Sequence, residues 1–531
     1  MKRLFYLTLL LLVALPVKAT TFTAATCNQS DVAKAINTAI AANHDGDVVV
    51  IPSGTCTWTG SGISATFTSS VTIQGAGATS ATAGGASTTG ADQTAILNHT
   101  SGTVFGITTT AGKSFRFTGI ALTQDGSSPF TSNGTLSLMG ASSSVRVDHC
   151  HFNLVITGTS ISINVGGSVQ GVADHDFFDD ADILSNDLGF HNGVGWNGGS
   201  SSDNSDHSWS DTEHWGSSKF FFVEDSRFYN GDISDAHDGA RYVLRHCTIT
   251  GRGNSSQQMY NHGLTDARGR ATRAAEIYDN NFSQAGNHGN PPYSLNSGTL
   301  LFWGNSVTGG YQNGVQISYD FRTTAGGGGN YNYSNNWGYC GAAAGGPSNW
   351  DGNLNSSGYP CIDQPGRGSG DLLTGSAFPG TVNSTTHTIS SPHQALSPIY
   401  VWNNSYTPQF YTSSPLVAAN GGSSMASDNR EYFVQFGSLA EPGSFNGTKG
   451  VGQGLLSARP ATCTANTDPM TGDSAPGVGY WATDTNTLYV CNPTNTWTAY
   501  YTPYTYPHPL TQSSLGTSVV APPTNLAVTV N

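Results

Sequence analysis

One short pattern recurs along the middle of the chain and restricts its fold more than any other feature. An aliphatic or aromatic residue is followed by two variable positions, a small polar residue, one variable position and a large apolar residue. The instances are VDHCHF ending at Phe152, ADHDFF near Phe177, VEDSRF ending at Phe228, LRHCTI ending at Ile249, IYDNNF ending at Phe282, FWGNSV ending at Val307 and VWNNSY ending at Tyr406. Several successive instances lie about 20 to 35 residues apart, the period of a solenoid coil. A coil of that length cannot bury its own apolar side, so neighbouring coils must stack and bring equivalent positions above one another.

Stacking predicts an internal column of Phe152, Phe177, Phe228, Ile249, Phe282 and Val307. It also predicts a ladder of Cys150, Ser226, Cys247, Asn280, Asn305 and Asn404 inside a tight turn, where Asn and Ser satisfy backbone groups. Cys150 and Cys247 are then ladder residues rather than bridge partners. His149, His175 and His246 share one turn position with Asp225 and Asp279, which reads as turn stacking rather than ligation.

Composition agrees with many short strands joined by turns: 66 Gly, 10% charged residues, and polar positions dominated by Ser, Thr, Asn and Gly. The opening MKRLFYLTLLLLVALPVKA begins with Lys2 and Arg3, then has an apolar run and a small-residue cleavage pattern at Val17-Lys18-Ala19, the form of a secretory signal peptide over residues 1–19. No later segment approaches the roughly 20 apolar residues that span a bilayer, so no membrane insertion is expected. A formal net charge of -14 argues against nucleic acid and anionic membranes. An acidic sugar polymer stays open as a partner, because a local Arg cluster dominates within a Debye length of about 10 Å. Of the eight Cys, spacing pairs Cys27 with Cys56, Cys340 with Cys361 and Cys463 with Cys491, as an oxidising compartment permits.

Near the N-terminus, SDVAKAINTAIAANHDGDVVVIPSGTCTW carries Ser30 as a helix N-cap, apolar residues at helical spacing, a break at Asp45-Gly46 and a strand. This helix, the GDVVVIPSGTCTW after it and the Asn-bearing turns resemble the pectate-lyase-like superfamily, over roughly residues 25–410. The resemblance implies an all-β, right-handed parallel β-helix with an N-terminal capping helix. We place this domain at 20–445, with a small β appendage and tail at 446–531, where YWATDTNTLY resembles hairpin modules of secreted or fibre proteins. The aromatic appendage reads either as a sugar-binding surface or as an apolar plug for the solenoid end.

The segment DAHDGARYVLRHCTITGRGNSSQQMYNHGLTDARGR concentrates His, Asp and Arg in a chain poor in charge. Loops leaving one side of stacked coils would bring Asp235, His237, Asp238 and Arg241 beside His262, Asp266, Arg268, Arg270 and Arg273, with His288 from the next coil. Lyases of the resembled superfamily neutralise a uronate carboxylate with a cation, often calcium, while Arg, Lys or His removes the C5 proton. That role assigns charge to Arg268, Arg270 and Arg273 and the base to His237 or His262, with Arg241, Asp266 and His288 binding substrate. No loop has recognised calcium spacing, so a calcium cofactor stays open and no metal ligand is assigned. Asp235, Asp238 and Asp266 could instead serve a glycoside hydrolase. A non-catalytic adhesive or structural β-helix is the third reading, carried by the Ser-, Thr-, Gly- and Asn-rich composition.

Overall fold

A computed structural model describes residues 18–124, 133–155, 161–180, 186–192, 208–209, 212–230, 232–252, 259–261, 271–287, 291–311, 314–317, 363, 365–368, 395–407, 417–419, 426–436, 443–468 and 472–512. Among these, the strands are arranged chiefly in three parallel sheets of twelve, ten and ten strands. The chain visits the sheets in turn. Asp47–Val50 joins the first sheet, Gly54–Gly60 the second and Ile63–Phe67 the third, before Val71–Gln74 returns beside Asp47–Val50. The same order continues to Ile399–Trp402, Ser405–Thr407, Val417–Ala419 and Tyr432–Val434.

Side chains alternate across each strand, and the inward ones form one continuous core. On the second sheet the register runs Leu122, Phe152, Phe178, Phe228, Ile249, Phe282, Val307 and Tyr406. The interior column therefore contains Phe178, not Phe177. The ring of Phe178 lies 5.2 Å from that of Phe152 and 4.6 Å from that of Phe228. Phe177 faces the other way and stacks on His151 at 4.9 Å. The two adjacent Phe residues made the one-residue slip invisible in sequence, since a shift of one exchanges the faces of a strand.

The polar ladder forms as expected and gains Asp176. Cys247 N–H donates to Asn280 Oδ1 at 2.9 Å, Asn280 N–H to Asn305 Oδ1 at 3.1 Å, and Asn305 N–H to Asn404 Oδ1 at 2.9 Å. Upstream, Cys150 N–H donates to Asp176 Oδ1 at 2.8 Å, and Asp176 N–H to Ser226 Oγ at 3.1 Å. Of the preceding residues, His149, His175, Asp225, His246 and Asp279 take left-handed backbone angles with φ of 52° to 58°. Cys150 and Cys247 are buried free thiols.

The helix spans Gln29–Ala42, and its N-cap is Asn28 rather than Ser30. Asn43 ends it in a left-handed conformation, donating its N–H to Ala39 O at 2.9 Å. Val32, Ala35, Ile36 and Ala39 form its buried stripe, and it packs on the first strands of the chain. Disulfides join Cys27 to Cys56 and Cys463 to Cys491, each with a Cα separation of 5.8 Å. Cys340, Cys361 and the leader at 1–17 lie outside the described residues. No helix among the described residues is long and apolar enough to cross a membrane.

After the parallel sheets, Val451–Gly454, Gly479–Ala482, Thr487–Cys491 and Trp497–Tyr501 form a separate four-stranded sheet. It packs through Trp481, Leu488 and Tyr501 onto Leu301, Trp303 and Trp402, which project from the outer face of the first sheet. The aromatic side chains thus serve an interior contact along a flank.

Asp176 is the one carboxyl in the ladder described here, and its Oδ2 has no hydrogen-bond partner. Burial, reinforced by Asp174 and Asp148, pushes this carboxyl well above the usual range. Its cost is therefore absent at acidic pH and grows as pH rises from the ordinary carboxylate range toward the folded value. Asp176→Asn is expected to raise stability at neutral pH by about 1 kcal/mol or more. Below the ordinary carboxylate range the gain should vanish, as thermal melts across pH will check.

Candidate functional site

The charged segment begins on the third sheet with Asp232–Ala236, turns through 237–240, and enters the first sheet at Arg241–Arg245. Ser234 and Ala236 lie in register with Leu188 and Phe190 of the core, which puts Asp235 on the opposite, outer face. Its neighbour in register is Gly189, and beyond that Asn164. The space beside Gly189 is filled by Asn164 and Ile161, and Asp235 is itself buried.

His237 follows at the corner between the third and first sheets. Its N–H donates to Phe190 O at 3.0 Å, and Ala240 N–H donates back to His237 O at 3.1 Å. Asp238 and Gly239 turn the chain with φ of 53° and 66°. An Asp tolerates this left-handed angle better than most residues, and Gly carries no Cβ to oppose it. The turn brings Asp238 Oδ2 to 3.0 Å from His237 Nδ1. A carboxylate at Nδ1 holds an imidazole in the tautomer whose Nε2 accepts a proton, the arrangement of a general base.

The arginines behave differently from the expectation of substrate-facing charge. Arg241 is fully buried, and its guanidinium donates to the carbonyls of Gly239 (3.4 Å), Ser208 (3.1 Å) and Thr212 (3.3 Å). Arg273, also fully buried, donates to Glu213 Oε1 at 2.8 Å and lies 5.2 Å from the Trp209 ring centroid. Both therefore pin Ser208, Trp209, Thr212 and Glu213 to the body of the protein and are closed off from solvent. Sequence could not foresee this, because their partners are a distant glutamate and backbone carbonyls. His262, Asp266, Arg268, Arg270 and His288 lie outside the described residues.

Glu276 accepts the N–H of Gly216 at 2.8 Å, and burial raises its pKa to about 7. Burial also pushes Glu213 upward, but Arg273 and the Ser397 hydroxyl outweigh it, so the carboxyl lies below its usual range. Among the described residues, no group of three or more His, Cys, Asp or Glu is arranged to hold a metal ion.

A second charged centre, outside the residues expected from the sequence, involves Arg245. It donates to Glu224 Oε2 (2.7 Å), the Tyr278 hydroxyl (2.9 Å), and the carbonyls of Tyr504 (2.8 Å) and Thr505 (2.9 Å). Glu224 Oε1 accepts the N–H of His508 at 2.8 Å. This fully buried pair fastens the segment after the four-stranded sheet across the first sheet. Its only sequence trace is the outward position of Glu224 in FFVE and Arg245 in RYVLR.

Breaking the Glu213–Arg273 pair tests the pinning role. Glu213→Ala removes the carboxylate that the buried Arg273 guanidinium contacts at 2.8 Å and is expected to cost about 3 kcal/mol in urea unfolding. Because the Glu213 pKa is lowered, its contribution is present above the ordinary carboxylate range and is lost on acidification toward the folded value. Neither a protein-family model, nor a curated protein, nor a solved structure matches the chain.

Proposed function

We propose that this chain is an exported right-handed parallel β-helix protein of the pectate-lyase-like kind that cleaves an acidic, uronate-containing polysaccharide by β-elimination. The cyclic visiting of three parallel sheets supports the β-helix, and right-handed crossovers are the rule for parallel strands. The leader-like residues 1–19 and the two disulfides support export.

The observation that carries the chemistry is the His237–Asp238 pair at 3.0 Å, two residues beyond Asp235 on an outer strand end. In this reading His237 takes the C5 proton of a uronate. The electron pair left behind forms the C4–C5 double bond, the glycosidic C4–O bond breaks, and the departing oxygen gains a proton. Arg268 and Arg270 are the cations left for the neighbouring carboxylate once Arg241 and Arg273 are committed inside, and calcium is the other source of charge.

That commitment also favours a second reading, a non-catalytic adhesive β-helix, since it removes two charges from the groove. Hydrolysis by Asp235 and Asp238 would yield new reducing ends without unsaturation.

A panel of uronate polymers, with and without calcium, separates the three through ultraviolet absorbance of unsaturated products and a reducing-end assay. The lyase reading expects absorbance that falls about 10²- to 10⁴-fold in His237→Ala, with thermal melting unchanged. Reducing ends without absorbance would move the assignment to Asp235 and Asp238, and binding without cleavage would leave the adhesive.

A further inference from the structure

The four-stranded sheet packs Trp481 and Leu488 against the first sheet, and the alternation of side chains puts Tyr480 and Tyr489 on its other face. The loop from Leu455 to Pro460 is fastened beside them. The Tyr480 hydroxyl donates to Leu455 O at 2.9 Å, Leu456 N–H to Asp484 Oδ1 at 2.8 Å, and Trp497 Nε1 to Pro460 O at 2.8 Å. The single turn Leu456–Ala458 ends at Arg459, whose guanidinium carbon lies 4.4 Å from the Tyr489 ring centroid and 5.4 Å from that of Trp497. Contact with both rings restricts the guanidinium before any ligand arrives.

Arg459 differs from Arg116 and Arg146 in what its donors meet. Each of those two places Nε and Nη2 on one carboxylate, that of Asp148 at 2.7 and 2.6 Å and that of Asp174 at 2.8 and 2.9 Å. In Arg459 the enclosed nitrogen is Nη1, and among the described residues the guanidinium makes no hydrogen bond or ion pair. The Nε–Nη2 edge, the same edge that grips a carboxylate in Arg116 and Arg146, is therefore turned toward solvent. Asp484 is engaged by Leu456 rather than by Arg459. Such a cation, in a chain of net charge -14, matches a planar anion that takes two parallel donors, which is a carboxylate. Tyr489 and Trp497 are half-buried, and their exposed parts offer apolar contact beside the fork to the C–H surface of a sugar ring.

We propose that Arg459, set between Tyr489 and Trp497, binds the carboxylate of a uronate unit and makes the four-stranded sheet an accessory site for an acidic polysaccharide. The inference rests on the reading above that the chain acts on such a polymer. It shares no residue with the His237 corner and needs no metal ion. A polymer held at both places is offered to the corner at a raised effective concentration, without any new contact there.

Phenylglyoxal labelling of the full chain, read by peptide mass spectrometry, reports on Arg459 directly. It is run on His237→Ala, so that nothing is cleaved, with uronate hexamers prepared from each polymer of the panel. Arg459 should be labelled in the free protein and protected at least about tenfold by a saturating hexamer, but not by its methyl ester. Arg459→Met, which keeps an apolar stem between the rings and removes the charge, should weaken calorimetric binding of the parent polymer at least about tenfold, and Arg459→Lys should restore only part of it. Thermal melting checks that the variants fold. No labelling of the free chain, no protection by any hexamer, equal protection by the ester or by polyglutamate, or unchanged binding in Arg459→Met would overturn the proposal. Unsaturated products with an unprotected Arg459 would remove this site alone, while protection without unsaturated products would remove the lyase reading and leave the site.

Discussion

The hydrogen bond from a ladder residue's backbone N–H to the side chain of its counterpart in the next pass is the constraint on which the remaining structure depends. Asn280, Asn305 and Asn404 each also donate through Nδ2 to a carbonyl, of Leu244, Ile277 and Phe302 respectively. A tight turn buried between strands would otherwise strand its backbone groups away from water, at a cost of about 1–3 kcal/mol for each unmet group. Because the ladder closes those groups pass after pass, the turn can repeat without change. The strands on either side then remain in register, and the Phe152, Phe178 and Phe228 rings stack as a consequence.

Charge follows a different logic. The first sheet presents Asp148, Asp174, Glu224 and Arg245 along one outward row, in register from strand to strand. Where the row stays near solvent, Arg116 and Arg146 neutralise the carboxylates. Where the chain beyond the four-stranded sheet crosses it, Arg245 and Glu224 are fully buried and their hydrogen bonds reach that crossing segment. Burying such a pair gives little net stability over an apolar contact, because desolvation offsets the attraction. Its value lies in position, since only one placement of Tyr504, Thr505 and His508 satisfies both ions.

The proposed site uses the same corner geometry for another purpose. The left-handed Asp238–Gly239 turn folds a carboxylate back onto the imidazole beside it, while Arg241 and Arg273 contact Ser208, Trp209, Thr212 and Glu213. The corner is therefore rigid beneath His237, a requirement for any group that must face a bond to be broken. The turn pair and the two buried arginines come from one short stretch of a chain otherwise poor in charge.

The sequence by itself determined the repeating turn, the identity of most ladder and column residues, the helix at Gln29–Ala42 and two cystines, because each follows from local spacing or from residue types with narrow conformational preferences. It could not distinguish Phe177 from Phe178, since two adjacent apolar residues fit either face and only the neighbouring strand's register chooses. It identified the charged segment but not the roles within it. Arg241 and Arg273 look as available as any arginine until Ser208, Trp209, Thr212, Glu213 and Ser397 are brought beside them. Nor could spacing reveal that Glu224 and Arg245 grip a segment more than 250 residues further on. Those choices belong to the tertiary structure, because the energy of a buried charge is set by the groups around it rather than by its neighbours in the chain.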